Sequence, residues 1–215
     1  PSVREGEEHR LLYHEAILKN YFRSIGYRVK TINEGLAVIL TELAEKHFSG
    51  IGISLGGGMC NVCFSYLSVP VLTFSVSKAG DYIDQSVAAV MNMLPTEIRM
   101  IKENELDLDR APRNRIENAL HIFHDEVIYT LLRALKENLD KSNKLPQIRE
   151  PMPSVLGGGT AVPRGFLSQF EKILTEFTFP ITIAGVRLAS DPLTATVRGG
   201  LIAAMSEETP FGDMD

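Results

Sequence analysis

Cysteine is scarce, with two residues in a chain of 215, both inside one strand-like stretch. That scarcity argues against a disulfide scaffold and fits a reducing cytosol, so a cytoplasmic location is expected. Long apolar runs are missing. None approaches the roughly 18 residues a membrane helix needs, so no membrane span is expected. No basic, apolar and small-residue series opens the chain, so no secretory signal is read. A basic excess is also missing. Lys and Arg total 22 against 27 Asp and Glu, a formal charge of −5. A mildly acidic chain is a poor candidate for non-specific nucleic-acid binding. No internal repeat or low-complexity tract is visible. The first residue is Pro1 rather than Met, which reads as a cut or processed piece of a longer protein.

What is present is ordinary globular material, 44% hydrophobic and 23% charged, long enough to bury a core without staples. Length alone allows one large domain or two small ones. Glu7 to Arg23 reads as a helix stopped by Gly26, and alternation predicts a short strand over Tyr27 to Ile32. Asn33 is an N-cap candidate for a helix with Leu36, Ile39, Leu40 and Leu43 as its buried stripe. Ile51–Leu55, Val62–Leu67 and Val71–Val76 read as an antiparallel meander, with Ser68-Val69-Pro70 as its second turn. Helices follow over about Asp81–Leu94, with Ile83, Val87, Val90 and Met91 on one side, and over about Glu97–Asn104. A long helix runs from Pro112 to about Leu139. Lys141–Pro153 reads as a loop, and Ser154-Val155-Leu156 as a strand. Pro163 opens a helix to about Phe177, Ile181–Ile183 forms a strand, and Asp191-Pro192 start a helix through Ala204. The acidic tail from Ser206 is expected to fray.

Two strands break into triple glycines, Gly56-Gly57-Gly58 and Gly157-Gly158-Gly159. Glycines at a strand end let backbone N–H groups converge on one point, which suits phosphate or the edge of a nucleotide. With their surroundings, these motifs resemble the carboxy-terminal lobe of the actin-like ATPases: actin, the bacterial rod-shape actins, and the nucleotide-binding domain of the seventy-kilodalton heat-shock chaperones. Ile32–Val38 is similar to the first connecting helix, and Ile53–Val62 to the second phosphate hairpin. Ala79–Asp84 is similar to the turn that starts the next helix, and Ile98–Glu103 to the helix flanking adenine. Val155–Pro163 resembles the adenosine motif, and Ser190-Asp191-Pro192 with Val197–Gly200 the closing helix.

The resemblance implies an α/β fold: a ribonuclease-H-like lobe with a mixed central sheet and helices on both faces. The sheet is expected to combine the meander with strands near Tyr27 and Val155, and residues 80–149 to form a small helical insertion. It implies ATP or ADP as ligand with Mg²⁺, and an amino-terminal lobe outside residues 1–215. By resemblance Glu34 orients the attacking water. Gly56, Gly57, Gly58, Met59, Cys60 and Asn61 form the phosphate turn. Gly157, Gly158, Gly159, Thr160 and Pro163 cradle adenosine, with Lys102 and Glu103 along the base or ribose.

The departures matter as much. Ser54 stands where the family has a metal-site Asp, Met59 and Cys60 follow the glycines where a Thr is usual, and Asn61 replaces an acidic or His residue. No metal ligand is therefore assigned, and nucleotide binding is expected to outlast fast hydrolysis. A catalytically degenerate scaffold or self-associating filament subunit is the alternative, and a chaperone-like role a third.

Other constellations read as structural. Cys60 and Cys63 point to opposite faces of a strand, which suits core packing better than zinc. His121, His124, Asp125 and Glu117 read as a polar helix surface, with a metal as the weaker reading. Lys136, Glu137, Asp140, Lys141 and Lys144 read as a solvated helix end. Met91, Met93 and Met100 read as core filler.

Overall fold

The computed structural model describes residues 8–142, 145–148 and 150–208, with side chains from 13 to 206. Pro1, Lys144 and the end of the acidic tail lie outside the described residues. The chain builds a five-stranded mixed sheet. Strands β1 (Gly50–Leu55), β2 (Cys60–Tyr66) and β3 (Val69–Val76) form the expected antiparallel meander. Strands β4 (Met152–Gly157) and β5 (Ile183–Leu188) add on in parallel, giving the order β3-β2-β1-β4-β5. All six residues of the central β1 are buried, as expected of a strand covered on both faces.

Side-chain alternation divides two helical layers. Ile51, Ile53, Leu55, Val62, Phe64 and Leu156 face a core shared with α3 (Gly80–Met91), α5 (Arg115–Lys141) and α6 (Phe166–Leu174). Helix α4 (Pro95–Asn104) packs on α3. On the other face Cys63 and Val155 meet Val38 and Ile39 from α2 (Glu34–Glu42), Leu43 just after it, and Ala195 from α7 (Ala195–Glu208). The two cysteines thus sit in different cores, both reduced, with thiols pushed up to about 12 by burial. Helix α1 (Glu8–Ser24) precedes these layers.

Asn33 caps α2 as read, its side chain accepting from the Leu36 N–H at 3.2 Å. The buried set of α2 differs from the expected stripe: Leu36 and Leu40 are half-buried, while Gly35, Ala37 and Val38 are fully covered. The helix is pressed between sheet and α7, so small residues on two sides are needed. A Cβ on Gly35 would stand 2.5 Å from the Cys63 nitrogen.

Several expectations shift. Tyr27–Ile32 has no ladder partner among the described residues, and Tyr27 is exposed; β5 supplies the fifth strand instead. Alternation states which way side chains face, not that a partner strand exists. The β2–β3 turn is Leu67-Ser68, both with positive φ, so Val69 and Pro70 belong to the edge strand β3, where a proline is tolerated. Val90 of α3 is exposed, and Ala88 takes its place in the core. The long helix is capped by Asn114 rather than opened by Pro112. Gly165, with φ of 83°, delays α6 to Phe166. The Asp191 carboxylate accepts from the Leu193 N–H and the Thr194 hydroxyl, a turn that holds α7 back to Ala195.

His124 is fully buried on α5, donating from Nδ1 to the Leu120 carbonyl at 2.7 Å, while Nε2 has no partner among the described residues. The carbonyl fixes the tautomer, since it can only accept. Burial lowers its pKa from 6.5 to about 4. Between those values the unfolded chain binds a proton that the native chain does not, so stability falls as pH drops from 6.5 towards 4. The full effect is about 3 kcal/mol. Equilibrium urea unfolding across that window should show this slope, and His124→Leu should remove this part of it.

Candidate functional site

Strands β1 and β4 are parallel neighbours, and Ser54 pairs with Gly157. Both strands therefore release their glycine turns at the same carboxyl edge of the sheet, the edge at which open α/β sheets bind ligands. The first turn closes with the Gly56 N–H donating to the Met59 carbonyl at 3.0 Å. Gly57 is exposed at its tip, and no described residue engages the Gly57 or Gly58 N–H. In the second turn Gly158 takes φ of 93°, and its N–H donates to the Pro192 carbonyl at 2.7 Å. A short 3₁₀ turn over Gly159–Ala161 follows.

The turns are tied together. The Gly56 carbonyl accepts from the Thr160 hydroxyl at 2.8 Å and from the Gly80 N–H at 3.1 Å. The Gly57 carbonyl accepts from the Asp81 N–H at 2.7 Å. Thr160 and the start of α3 thereby lock both turns around a cavity of about 610 Å³, within the range of about 300–1,000 Å³ typical of small-molecule sites.

Gly57, Lys102, Glu103, Gly159, Thr160 and Pro163 line this cavity. Lys102 does so with its ammonium largely spoken for. It is buried, 2.6 Å from an Asp84 carboxylate oxygen, and donates to the Gly80 carbonyl at 3.1 Å. Arg99 forks between Asp84 at 3.1 Å and Asp81 at 2.9 Å. Asp81, Asp84, Arg99 and Leu193 are lining residues that the motif reading did not single out. The aspartates lie inside the quoted Ala79–Asp84 turn, and Arg99 stands three residues before Lys102, one helical turn away.

Gly56, Gly58, Met59, Cys60, Asn61, Gly157 and Gly158 do not line the cavity. Cys60 is the plainest departure from the expected phosphate turn. It is fully buried, its thiol donating to the Lys78 carbonyl at 3.4 Å, so the side chain cannot meet a ligand. Glu34 belongs to a separate polar cluster at the N-terminus of α2. Its Oε2 accepts from Ser54 at 2.9 Å and Asn61 at 3.1 Å, and Ser75 donates to Asn61 at 2.6 Å. Among the described residues no group of three or more His, Cys, Asp and Glu is arranged to hold a metal. Asp125 instead accepts from Gln169 at 2.6 Å. No described helix is long and apolar enough to cross a membrane.

The profile of the Volactin family matches residues 3–204. The chain belongs to that family. A search of curated proteins finds no match. Solved structures resemble the Volactin-family chain at low identity. MreB 5 of Spiroplasma citri bound to AMPPNP shares 16% identity at a TM-score of 0.66, over 96% of this chain and 66% of that one. The MamK double helical filament shares 16% at 0.72, over 98% and 67%. The ethanolamine utilization protein EutJ from Carboxydothermus hydrogenoformans shares 20% at 0.55, over 78% and 53%. The fold of this Volactin-family chain is that of the actin-like ATPases, and the chain spans 53% to 67% of the length of these three relatives.

Proposed function

We propose that this chain is the carboxy-terminal lobe of a two-lobed protein that binds ATP or ADP, with residues 80–149 as its helical insertion. Hydrolysis is slow and coupled to lobe closure. The observation that carries the reading is the cavity framed by two glycine turns on adjacent parallel strands and braced by Thr160 on the Gly56 carbonyl. The unengaged N–H of Gly57 would meet phosphate oxygens, and Gly159, Thr160, Pro163 and Glu103 the adenosine. The nucleotide bound to the MreB relative supports the same assignment.

A second lobe is supported by a surface. Leu193, Val197, Leu201 and Met205 recur at intervals of four and are all exposed, an apolar stripe of the kind that marks an interaction face. Closure of the lobes would exclude water and complete the site.

Mg²⁺ would shield the phosphate charge when bound. Glu34 and Ser54 fit a role through water, since Ser54 brings no charge and no acidic triad stands beside it. Glu34, held by Ser54 and Asn61, would orient a water rather than take a proton by direct contact with substrate. This absence of a metal-site carboxylate favours the second reading, a binding-competent scaffold or filament subunit with degenerate catalysis. The assembled MamK relative is in keeping with it.

Isothermal titration of the full-length protein with Mg-ATP tests the proposal. Saturable binding is expected, and no binding at millimolar nucleotide would sink it. A variant separates the two readings. Ser54→Asp places a second carboxylate at the 2.9 Å Ser54–Glu34 contact, where like charges repel unless a cation bridges them. The Ser54→Asp protein should melt lower than wild type in chelator and recover with Mg²⁺. It should also raise the ATPase rate if the site is degenerate. An unchanged, already rapid wild-type turnover would exclude the scaffold reading.

A further inference from the structure

The base of the cavity is a buried ion network centred on Asp84. Asp84 is 1% exposed, yet its carboxylate meets two cations from α4: Lys102 at 2.6 Å and Arg99 at 3.1 Å. Both cations line the cavity. A buried salt bridge is a weak means of stabilising a fold, because taking the charges out of water offsets most of the attraction. Its better-attested use is to fix geometry. Here the geometry fixed is that of the ligand wall. Lys102 also donates to the Gly80 carbonyl, and the Gly80 N–H donates to the Gly56 carbonyl of the phosphate turn. Arg99 reaches Asp81, whose N–H donates to the Gly57 carbonyl. Asp84 is thus the hub of two arms that end on the same turn.

We infer that Asp84 is a positioning residue for the nucleotide site. It holds Arg99 and Lys102 so that the adenosine wall and the phosphate turn keep one spacing. An ammonium has three N–H donors. Gly80 takes one from Lys102, and Asp84 faces the ammonium at 2.6 Å as an ion pair without hydrogen-bond geometry. Without Asp84, Lys102 is free to swing into the cavity or compete for the phosphates. This inference rests on the nucleotide reading and gives a role to a residue of the Ala79–Asp84 turn that the motif reading did not single out.

Titration of ADP into the full-length protein tests it, with wild type as the reference. Asp84→Asn, which keeps the shape and removes the charge, should weaken ADP binding roughly 10- to 100-fold, the scale of a lost charge-assisted hydrogen bond. Asp84→Glu should restore part of it. In a Lys102→Met background, Asp84→Asn should cost little further affinity, since the two act as a unit. A purely structural Asp84 would lower the melting temperature in both backgrounds and leave ADP affinity unchanged in the folded variants. That result would overturn the inference. If Asp84→Asn does not fold, Arg99→Gln replaces a half-exposed side chain, and unchanged ADP affinity there overturns it equally. A wild type that binds no ADP would instead remove the nucleotide reading itself.

Discussion

Gly158→Ala should cost about 2–5 kcal/mol of folding stability, combining left-handed backbone strain with overpacking. At φ of 93° an L-residue is strained, and an added Cβ would fall inside contact distance of the Leu55 backbone. Leu55 immediately precedes the first glycine turn, so the substitution pushes the two turns apart as well as weakening the fold. Equilibrium urea unfolding measures the first effect, as a lower midpoint at unchanged slope. Nucleotide titration of the folded fraction measures the second, and a loss of affinity is expected. Wild-type stability in the variant would mean that the turn is not as tightly packed as described.

A second large effect concerns two adjacent glycines with opposite expected signs. Gly199 of α7 lies against α2, where an added Cβ would meet the Ala37 carbonyl well inside contact distance. Neither backbone can yield without separating the helices. Gly199→Ala should therefore destabilise by about 1–3 kcal/mol or more. Gly200, one residue on, faces open space. Gly200→Ala in this helical setting should stabilise by up to about 1 kcal/mol. Thermal melts of the pair give the comparison directly. Because α2 carries Glu34 at its first turn, Gly199→Ala should also disturb the Glu34–Ser54–Asn61 cluster. Gly200→Ala should leave that cluster alone.

The sheet was legible where its signals were local. Alternation and triple glycines mark β1, β2 and β4, and Asn33 caps α2 as its side-chain chemistry dictates. Tyr27–Ile32 carried the same alternation and formed no strand, because pairing depends on a neighbour that the segment itself does not specify. Strand β5 was shifted because Gly185 and the outward Arg187 interrupt its apolar pattern. Of the motif residues, Gly57, Gly159 and Thr160 line the cavity, whereas Gly56, Gly58, Gly157 and Gly158 do not. Cys60 occupies a motif position yet points into the core, as its alternation with Cys63 along β2 implies. Asp84 and Arg99 lie inside the quoted Ala79–Asp84 and Ile98–Glu103 segments, but their pairing is a tertiary contact between α3 and α4 that neither segment states.

Hydrogen–deuterium exchange on the full-length protein, with and without Mg-ATP, tests the central claim most directly. Slower exchange is expected on nucleotide addition in two segments far apart in the chain, 56–61 and 157–163, because both turns frame one cavity. Protection at neither segment under conditions of demonstrated binding would place the nucleotide elsewhere and contradict it.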